Sequence, residues 1–217
     1  MSDRALIFGA IRSAKRSPAR PAEDIAKEAA DLVAHPEVTQ PGFAGETLLD
    51  RFVAKATSER VTATVDQLAA KRDIPRAVSE YLKKIGQGTD ICVQNCAVLN
   101  GLDWSGFACS PDLEKDRGCA VTLAEYGIAE TGSVVFRSGA DSPILLNFLP
   151  MYHIVVLRTD TLIGYTEDLW PLLGGAHAPQ SRLLTIVTGT SGTADIEAIN
   201  VRGAHGPKHM HILIVPP

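Results

Sequence analysis

Three short segments combine reactive or hydrogen-bonding side chains with the backbone freedom to present them. In residues 126–133, Glu130 and Thr131 are bracketed by Gly127 and Gly132 and lead directly into the apolar stretch Val134-Val135-Phe136. The glycines permit close backbone approach, so a carboxylate at the start of a strand stays open to a ligand. There Glu130 can bind a ligand hydroxyl, serve as a general base or act as a nucleophile. Equally, it can accept backbone hydrogen bonds and only close a turn.

The second segment is residues 188–197, where Thr188, Gly189, Thr190, Ser191, Gly192, Thr193 and Asp195 follow an apolar strand over 183–187. Four hydroxyls and two glycines make a loop rich in donors, and open α/β sheets bind ligands at the carboxyl ends of their strands. The segment reads as an anion site. It lacks the lysine of a G-x-x-x-x-G-K-[ST] loop and is not a G-x-G-x-x-G dinucleotide fingerprint. The bland alternative is a strand-to-helix turn in which Thr193 or Asp195 caps the next helix.

The third is Gly203-Ala204-His205-Gly206-Pro207, in which flanking glycines and a proline impose a loop that presents the His205 imidazole. His209 and His211 follow, two apart on a final strand and so on one face. With Asp195 or Glu197 they can in principle assemble a metal site, but no zinc-type spacing occurs and the reading is no metal. His153, just ahead of an apolar strand, either reaches a ligand or hydrogen-bonds the preceding loop, and Asn147 is read with the same caution. Trp104 and Trp170 lie in no basic stretch and read as core or interface anchors.

These segments need a scaffold. Helical periodicity is expected over 2–16 and 22–34, interrupted by Pro18, Pro21, Pro36 and Pro41-Gly42. From Glu46 a further amphipathic helix is followed by a β-branched run over 60–65, and a second helix–strand unit runs from Ile74 to Val93. Apolar strands are expected at 119–122, 133–136, 153–157, 183–187 and 211–215, with a helix near 167–173. Alternation of helices with nearly all-apolar strands predicts a three-layer α/β domain whose sheet is covered on both faces. Residues 1–44 are expected to form a helical extension and linker, and 45–217 the compact domain.

Of the 217 residues 45% are hydrophobic and 21% charged, and the formal net charge is -4, with no basic cluster. That composition supports one substantial core and argues against a nucleic-acid partner. The longest apolar runs are far below the roughly 20 residues needed to span a bilayer, and the N-terminus does not read as a secretory signal. Cys92, Cys96, Cys109 and Cys119 form no iron–sulfur spacing and no compact disulfide framework, which fits a reducing cytoplasm.

Four segments, taken in order and at their separations, resemble the lactate-utilisation protein C family and its LUD domain. They are Ile128-Ala129-Glu130-Thr131-Gly132-Ser133, Leu149-Pro150-Met151-Tyr152-His153-Ile154, the run from Ile186 to Glu197, and Gly203-Ala204-His205-Gly206-Pro207. The resemblance covers roughly residues 45–217. It implies a Rossmann-like fold of the sugar-phosphate isomerase (NagB/RpiA) and CoA-transferase type. It also implies a role in oxidising L-lactate to pyruvate beside iron–sulfur oxidoreductase subunits that carry the clusters, this chain holding no cofactor of its own. Relatives often carry Gly-Pro-Ser and then a basic residue where this chain has Gly189-Thr190-Ser191-Gly192, so the loop lacks a proline and a positive charge.

The leading expectation is a subunit binding a small carboxylate, with Glu130 and His205 as catalytic candidates and Thr131, His153, Thr188, Gly189, Ser191, Thr193, Asp195 and Gly206 as ligand-binding ones. The alternatives are an independent acyl- or CoA-transferring or ring-closing enzyme using Glu130, by fold analogy, and a structural assembly factor whose polar loops only close turns.

Overall fold

The computed structural model describes residues 3–14, 20–110, 113, 118–175, 178–196 and 199–217. The chain divides into two units, Met1–Pro41 and Gly42–Pro217. The first holds helices α1 (Asp3–Ala14) and α2 (Ala22–Ala34) and a short 3-10 turn at Pro36–Val38. Neither helix buries a residue, and Leu6, Ile7, Phe8 and Ile11 of α1 and Leu32 and Val33 of α2 are exposed. Ser2, Arg16 and Pro18 lie outside the described residues.

The second unit is built on six strands, β1 (Thr64–Gln67), β2 (Asp90–Val93), β3 (Ala108–Cys109), β4 (Cys119–Leu123), β7 (Tyr152–Arg158) and β12 (His209–Val215). They form one sheet in the order β1-β12-β7-β4-β2-β3, with every neighbouring pair parallel. Side chains of β7 and β12 alternate between two cores, as period-two strands buried on both faces must. On one face Ile154, Val156, Leu213 and Val215 pack under α4 (Ile74–Lys84) and α5 (Ala97–Asn100). The α4 residues Ile74, Ala77, Val78 and Leu82 supply the matching stripe at helical spacing.

On the other face Val155, Leu157, Met210, Ile212 and Ile214 meet α3 (Leu48–Ala56) and, beside it, Ala129, Val134 and Phe136. The α3 helix starts where it does because Thr47 accepts the Asp50 backbone N–H at 3.1 Å. Val134 and Phe136 belong to a second sheet of β5 (Tyr126–Ile128), β6 (Ser133–Arg137), β8 (Leu162–Ile163) and β9 (Leu184–Val187), in the order β8-β5-β6-β9, and Ala129 to the turn that follows β5. The far side of this sheet, through Ile128 and Val135, is closed by Leu169 of α6 (Leu169–Leu172) and by Leu173. The mixed α/β class with a mostly parallel central sheet is thus as expected, and the apolar strands at 133–136 and 183–187 leave that sheet for a second one. Hydrophobicity cannot make this distinction, since β6 is as apolar and as buried as β4.

Two further differences have local causes. The β-branched run at 60–65 is half turn: Thr62 takes φ 59°, and only from Thr64 does the chain join the sheet. Residues after the Thr188 loop form no helix but a hairpin of β10 (Gly192–Ile196) and β11 (Ile199–Arg202). Among the described residues no helix is long and apolar enough to cross a membrane.

Candidate anion-binding site

The three polar segments meet at one edge of the molecule, beside the amino ends of β1 and β12. Antiparallel pairing of β6 with β9 sets Val134 opposite Val187, which brings the β5–β6 turn alongside Thr188. A line of hydroxyls ties them: Thr131 Oγ1 to Ser133 Oγ at 2.6 Å, and Ser133 Oγ to Thr188 Oγ1 at 2.7 Å. Ser133 is buried, so the line holds the loop from beneath. The turn itself sits on the end of α3, where a Cβ on Gly132 (φ +70°) would lie 2.4 Å from the Ala56 nitrogen. Only glycine permits that approach. Glu130, half-buried in this turn, donates its backbone N–H to Gly164 O at 2.9 Å.

From Thr188 the loop crosses to β1. Gly189 lies against the Val61 carbonyl, and Thr190 N–H donates to that same oxygen at 3.1 Å. Ser191 then donates to Pro207 O at 2.9 Å and accepts from Gly203 N–H at 3.0 Å. The Gly203–Pro207 loop is therefore pinned to Ser191, with Gly206 packed on its side chain. Glu130 precedes Thr131, which reaches the Thr188 end of the loop through Ser133, and the exposed His205 lies in the segment pinned at its Ser191 end.

The loop also acquires a positive charge that its own sequence lacks. Arg202, at the end of β11, donates from Nη1 to Thr190 Oγ1 at 2.7 Å and to Thr62 Oγ1 at 2.9 Å. Those two hydroxyls are 2.6 Å apart. A threonine at φ 59° is strained by its branched Cβ, and the surrounding bonds hold Thr62 there. Arg202, Thr62, Thr190, Thr64, Tyr81, Lys208, His209 and Met210 line a cavity of about 240 Å³. A broader cavity of about 710 Å³ shares Thr64, Tyr81 and His209 with it, and adds Asp66, Lys84 and His211.

His209 and His211 do share a face, as their spacing implies, and both border this broader space. His209 stacks on Tyr152 and His211 on Tyr81, with ring centroids 4.9 and 4.0 Å apart. Burial pushes the His211 imidazole down to about 4, against the opposing pull of Asp66, whose Oδ2 stands 3.4 Å from Nε2. Its Nδ1 lies 2.8 Å from Thr64 Oγ1. Burial also raises the Tyr81 phenol, and the Thr64 hydroxyl draws it partly back.

The remaining candidates are placed elsewhere. His153 is 1% exposed, hydrogen-bonded through Nε2 to Thr122 Oγ1 at 2.7 Å and set against Phe136, between the two sheets. Burial alone lowers it to about 3. Asn147 is buried in the turn before β7. Thr193 pairs with Val201 across the hairpin, Asp195 is a backbone position of β10, and Glu197 lies outside the described residues. Among the described residues no three His, Cys, Asp or Glu side chains gather as a metal site. Cys92 and Cys119, on neighbouring strands, belong to different core clusters.

The residues that sequence reasoning missed are Thr62, Thr64, Tyr81, Arg202 and Lys208. Arg202 carried the one available signal, an arginine one residue before the Gly203–Pro207 loop. Its reach back to Thr190 depends on the hairpin, which periodicity did not reveal.

The LUD domain family model matches residues 52–215. Among curated proteins, an uncharacterised Escherichia coli protein, YkgG, is 38% identical over 98 residues, 44% of this chain and 42% of its own length. A "Lactate utilization protein C" of Deinococcus radiodurans is 34% identical over 104 residues, 47% of this chain and 49% of its own. The matched stretches thus span less than half the length of these relatives. A crystal structure of a DUF162 family protein from Deinococcus radiodurans superposes with a TM-score of 0.57 at 20% identity, over 77% of this chain and 96% of that one. At that identity the likeness concerns the fold.

Proposed function

The chain belongs to the LUD-domain family, and from that premise we propose that it serves lactate utilisation by holding a small carboxylate against Arg202. In this reading it is the partner without iron–sulfur clusters in an assembly that oxidises L-lactate to pyruvate. The lactate role rests on the name that its relatives carry. The observation that carries the ligand assignment is the Arg202 guanidinium. Nη1 is spent on Thr62 and Thr190, which fixes the planar group and leaves its other N–H donors for a carboxylate. The cavity of about 240 Å³ equals the share of roughly eight waters. A three-carbon acid fits within it, with Lys208 adding a second positive charge.

Titration calorimetry with L-lactate and pyruvate tests the assignment. A charge-assisted hydrogen bond contributes about 1.5–3 kcal/mol, so Arg202→Ala is expected to weaken binding by at least tenfold. Unchanged affinity in that variant would sink the reading. Complex membership is tested by asking whether iron–sulfur subunits co-purify with the chain and whether lactate-dependent electron transfer requires it. Alanine at Glu130 or His205 in the reconstituted assembly separates a functional loop from a structural one: a purely structural role predicts a lower melting temperature with turnover intact.

A further inference from the structure

The geometry points to a second ligand site at the opposite end of the central sheet, a cavity that takes a small zwitterion, namely a free α-amino acid with a short side chain. It is independent of the Arg202 site.

Chain order places it. From β2 the chain passes through α5 to β3, the outer neighbour of β2, whereas from β4 it next returns to this sheet as β7, the neighbour of β4 on the other side. Connections that leave adjacent parallel strands in opposite directions open a crevice between their carboxyl ends, the position at which open α/β sheets hold ligands. A cavity of about 190 Å³ lies there, bordered by Gln94 just after β2 and by Leu123 at the end of β4. Gln94 braces it. Only 5% exposed, it accepts the Leu123 backbone N–H at Oε1 (2.8 Å) and donates from Nε2 to Asp141 O at 2.6 Å. The buried amide thereby ties the end of β4 to the turn over residues 139–142, which Gly139 and Ser142 close by exchanging backbone bonds of 3.2 Å. That turn carries Asp141.

Charges of both signs line the space. Arg137, at the end of β6, spends Nε and Nη2 on the Glu125 carboxylate, which fixes the guanidinium plane. No bond of its Nη1 is found among the described residues, so those donors remain for a ligand. Asp141 adds a carboxylate that pairs with no cation among the described residues, and Leu123, Ala124 and Phe136 supply an apolar wall. A bare acid would set its charge beside the Glu125 and Asp141 carboxylates against a single guanidinium. A bare amine would leave Arg137 facing no acceptor. A ligand with both charges on one carbon answers both, its carboxylate on Arg137, its ammonium on Asp141 and its side chain on the apolar wall. The volume equals the share of about six waters, which suits alanine or serine.

Each charge-assisted bond corresponds to at least about tenfold in affinity. Calorimetry on Arg202→Ala protein, where the other cavity does not contribute, is expected to give L-alanine a Kd at least about tenfold below those of propionate, which lacks the ammonium, and ethylamine, which lacks the carboxylate. Asp141→Asn and Arg137→Gln should each raise the L-alanine Kd by a similar factor. Asp141 sits exposed on its turn and the Arg137 side chain is 37% exposed, so both variants should keep the wild-type Tm, and Asp141→Asn alone decides if Arg137→Gln does not. Absence of L-alanine binding at millimolar concentration, equal affinity for propionate or ethylamine, or a Kd indifferent to Asp141→Asn overturns the inference. Loss of L-alanine binding on going from wild type to Arg202→Ala also overturns it, by assigning the amino acid to the other cavity. L-Lactate affinity should ignore Asp141→Asn, so failure here leaves the carboxylate reading standing.

Discussion

Gly189 is the residue on which the site's assembly depends most directly. Its φ is +76°, and a Cβ there would lie 1.9 Å from the Val61 carbonyl oxygen. Gly189→Ala must therefore move the loop away from the Val61 turn that precedes β1 by more than 1 Å, since real Cβ contacts essentially never fall below 3.0 Å. The left-handed conformation costs an alanine about 1–2 kcal/mol. Loss of the bond from Thr190 N–H to Val61 O adds about 1 kcal/mol. The expected loss is about 2–3 kcal/mol, or on the order of 4–12 °C in Tm for a domain of this size. Differential scanning calorimetry reads the stability, and lactate titration reads the site, because Thr190 carries one of the two hydroxyls that hold Arg202. Gly206→Ala is the control: its Cβ would meet the Ser191 side chain at 3.3 Å and the Phe148 carbonyl oxygen no nearer than 4.0 Å, and should cost under about 1 kcal/mol. A Gly189→Ala protein with unchanged Tm and lactate affinity would refute the account of the loop.

Other expectations concern titration and exposure. His153 and His211, lowered by burial to about 3 and about 4, are held neutral in the folded state while the unfolded chain takes up protons below about 6.5. Stability is complete above that value and falls as pH drops toward the native values, by about 1.4 kcal/mol per histidine per pH unit in the window. Urea midpoints at pH 7 and pH 5 should show this slope, and His153→Gln should flatten it. The Arg137–Glu125 ion pair is about one-third exposed on both sides, so Glu125→Gln should change stability by less than about 1 kcal/mol at physiological salt. Alkylation of the native protein should reach Cys109, which is exposed, and spare Cys119, buried and pushed up to about 12; labelling of Cys119 before unfolding would contradict its placement.

Much of the scaffold was legible because its signals are local. The stripe of Ile74, Ala77, Val78 and Leu82 specifies α4, and the runs at β4, β7 and β12 are too apolar for anything but buried strands. What periodicity cannot carry is partnership. The stretches that became β6 and β9 look like the parallel strands, yet they pair antiparallel with each other. The turn at Thr62 was hidden for a related reason: a β-branched run favours strand, whereas the contacts of Thr62 with Thr190 and Arg202, together with its N–H bond to Ser58 O, hold it at positive φ.

The same separation between local signal and assembly explains the site. Read alone, residues 188–193 lack a positive charge, and weak anion binding is the natural conclusion. The β10–β11 hairpin changes that conclusion by returning the chain to its own starting point, so that Arg202 bonds Thr190 twelve residues behind it and Thr62 one hundred and forty residues behind. A charge delivered from a neighbouring strand is better fixed than one on the loop, because two hydroxyls determine the guanidinium plane before any ligand arrives. Ordering already completed in the free protein is not charged against binding. Arg202→Lys, which keeps the charge but cannot bridge both threonines through a planar group, should therefore recover only part of the affinity lost in Arg202→Ala. Full recovery would mean that charge alone, and not the threonine cradle, makes the site.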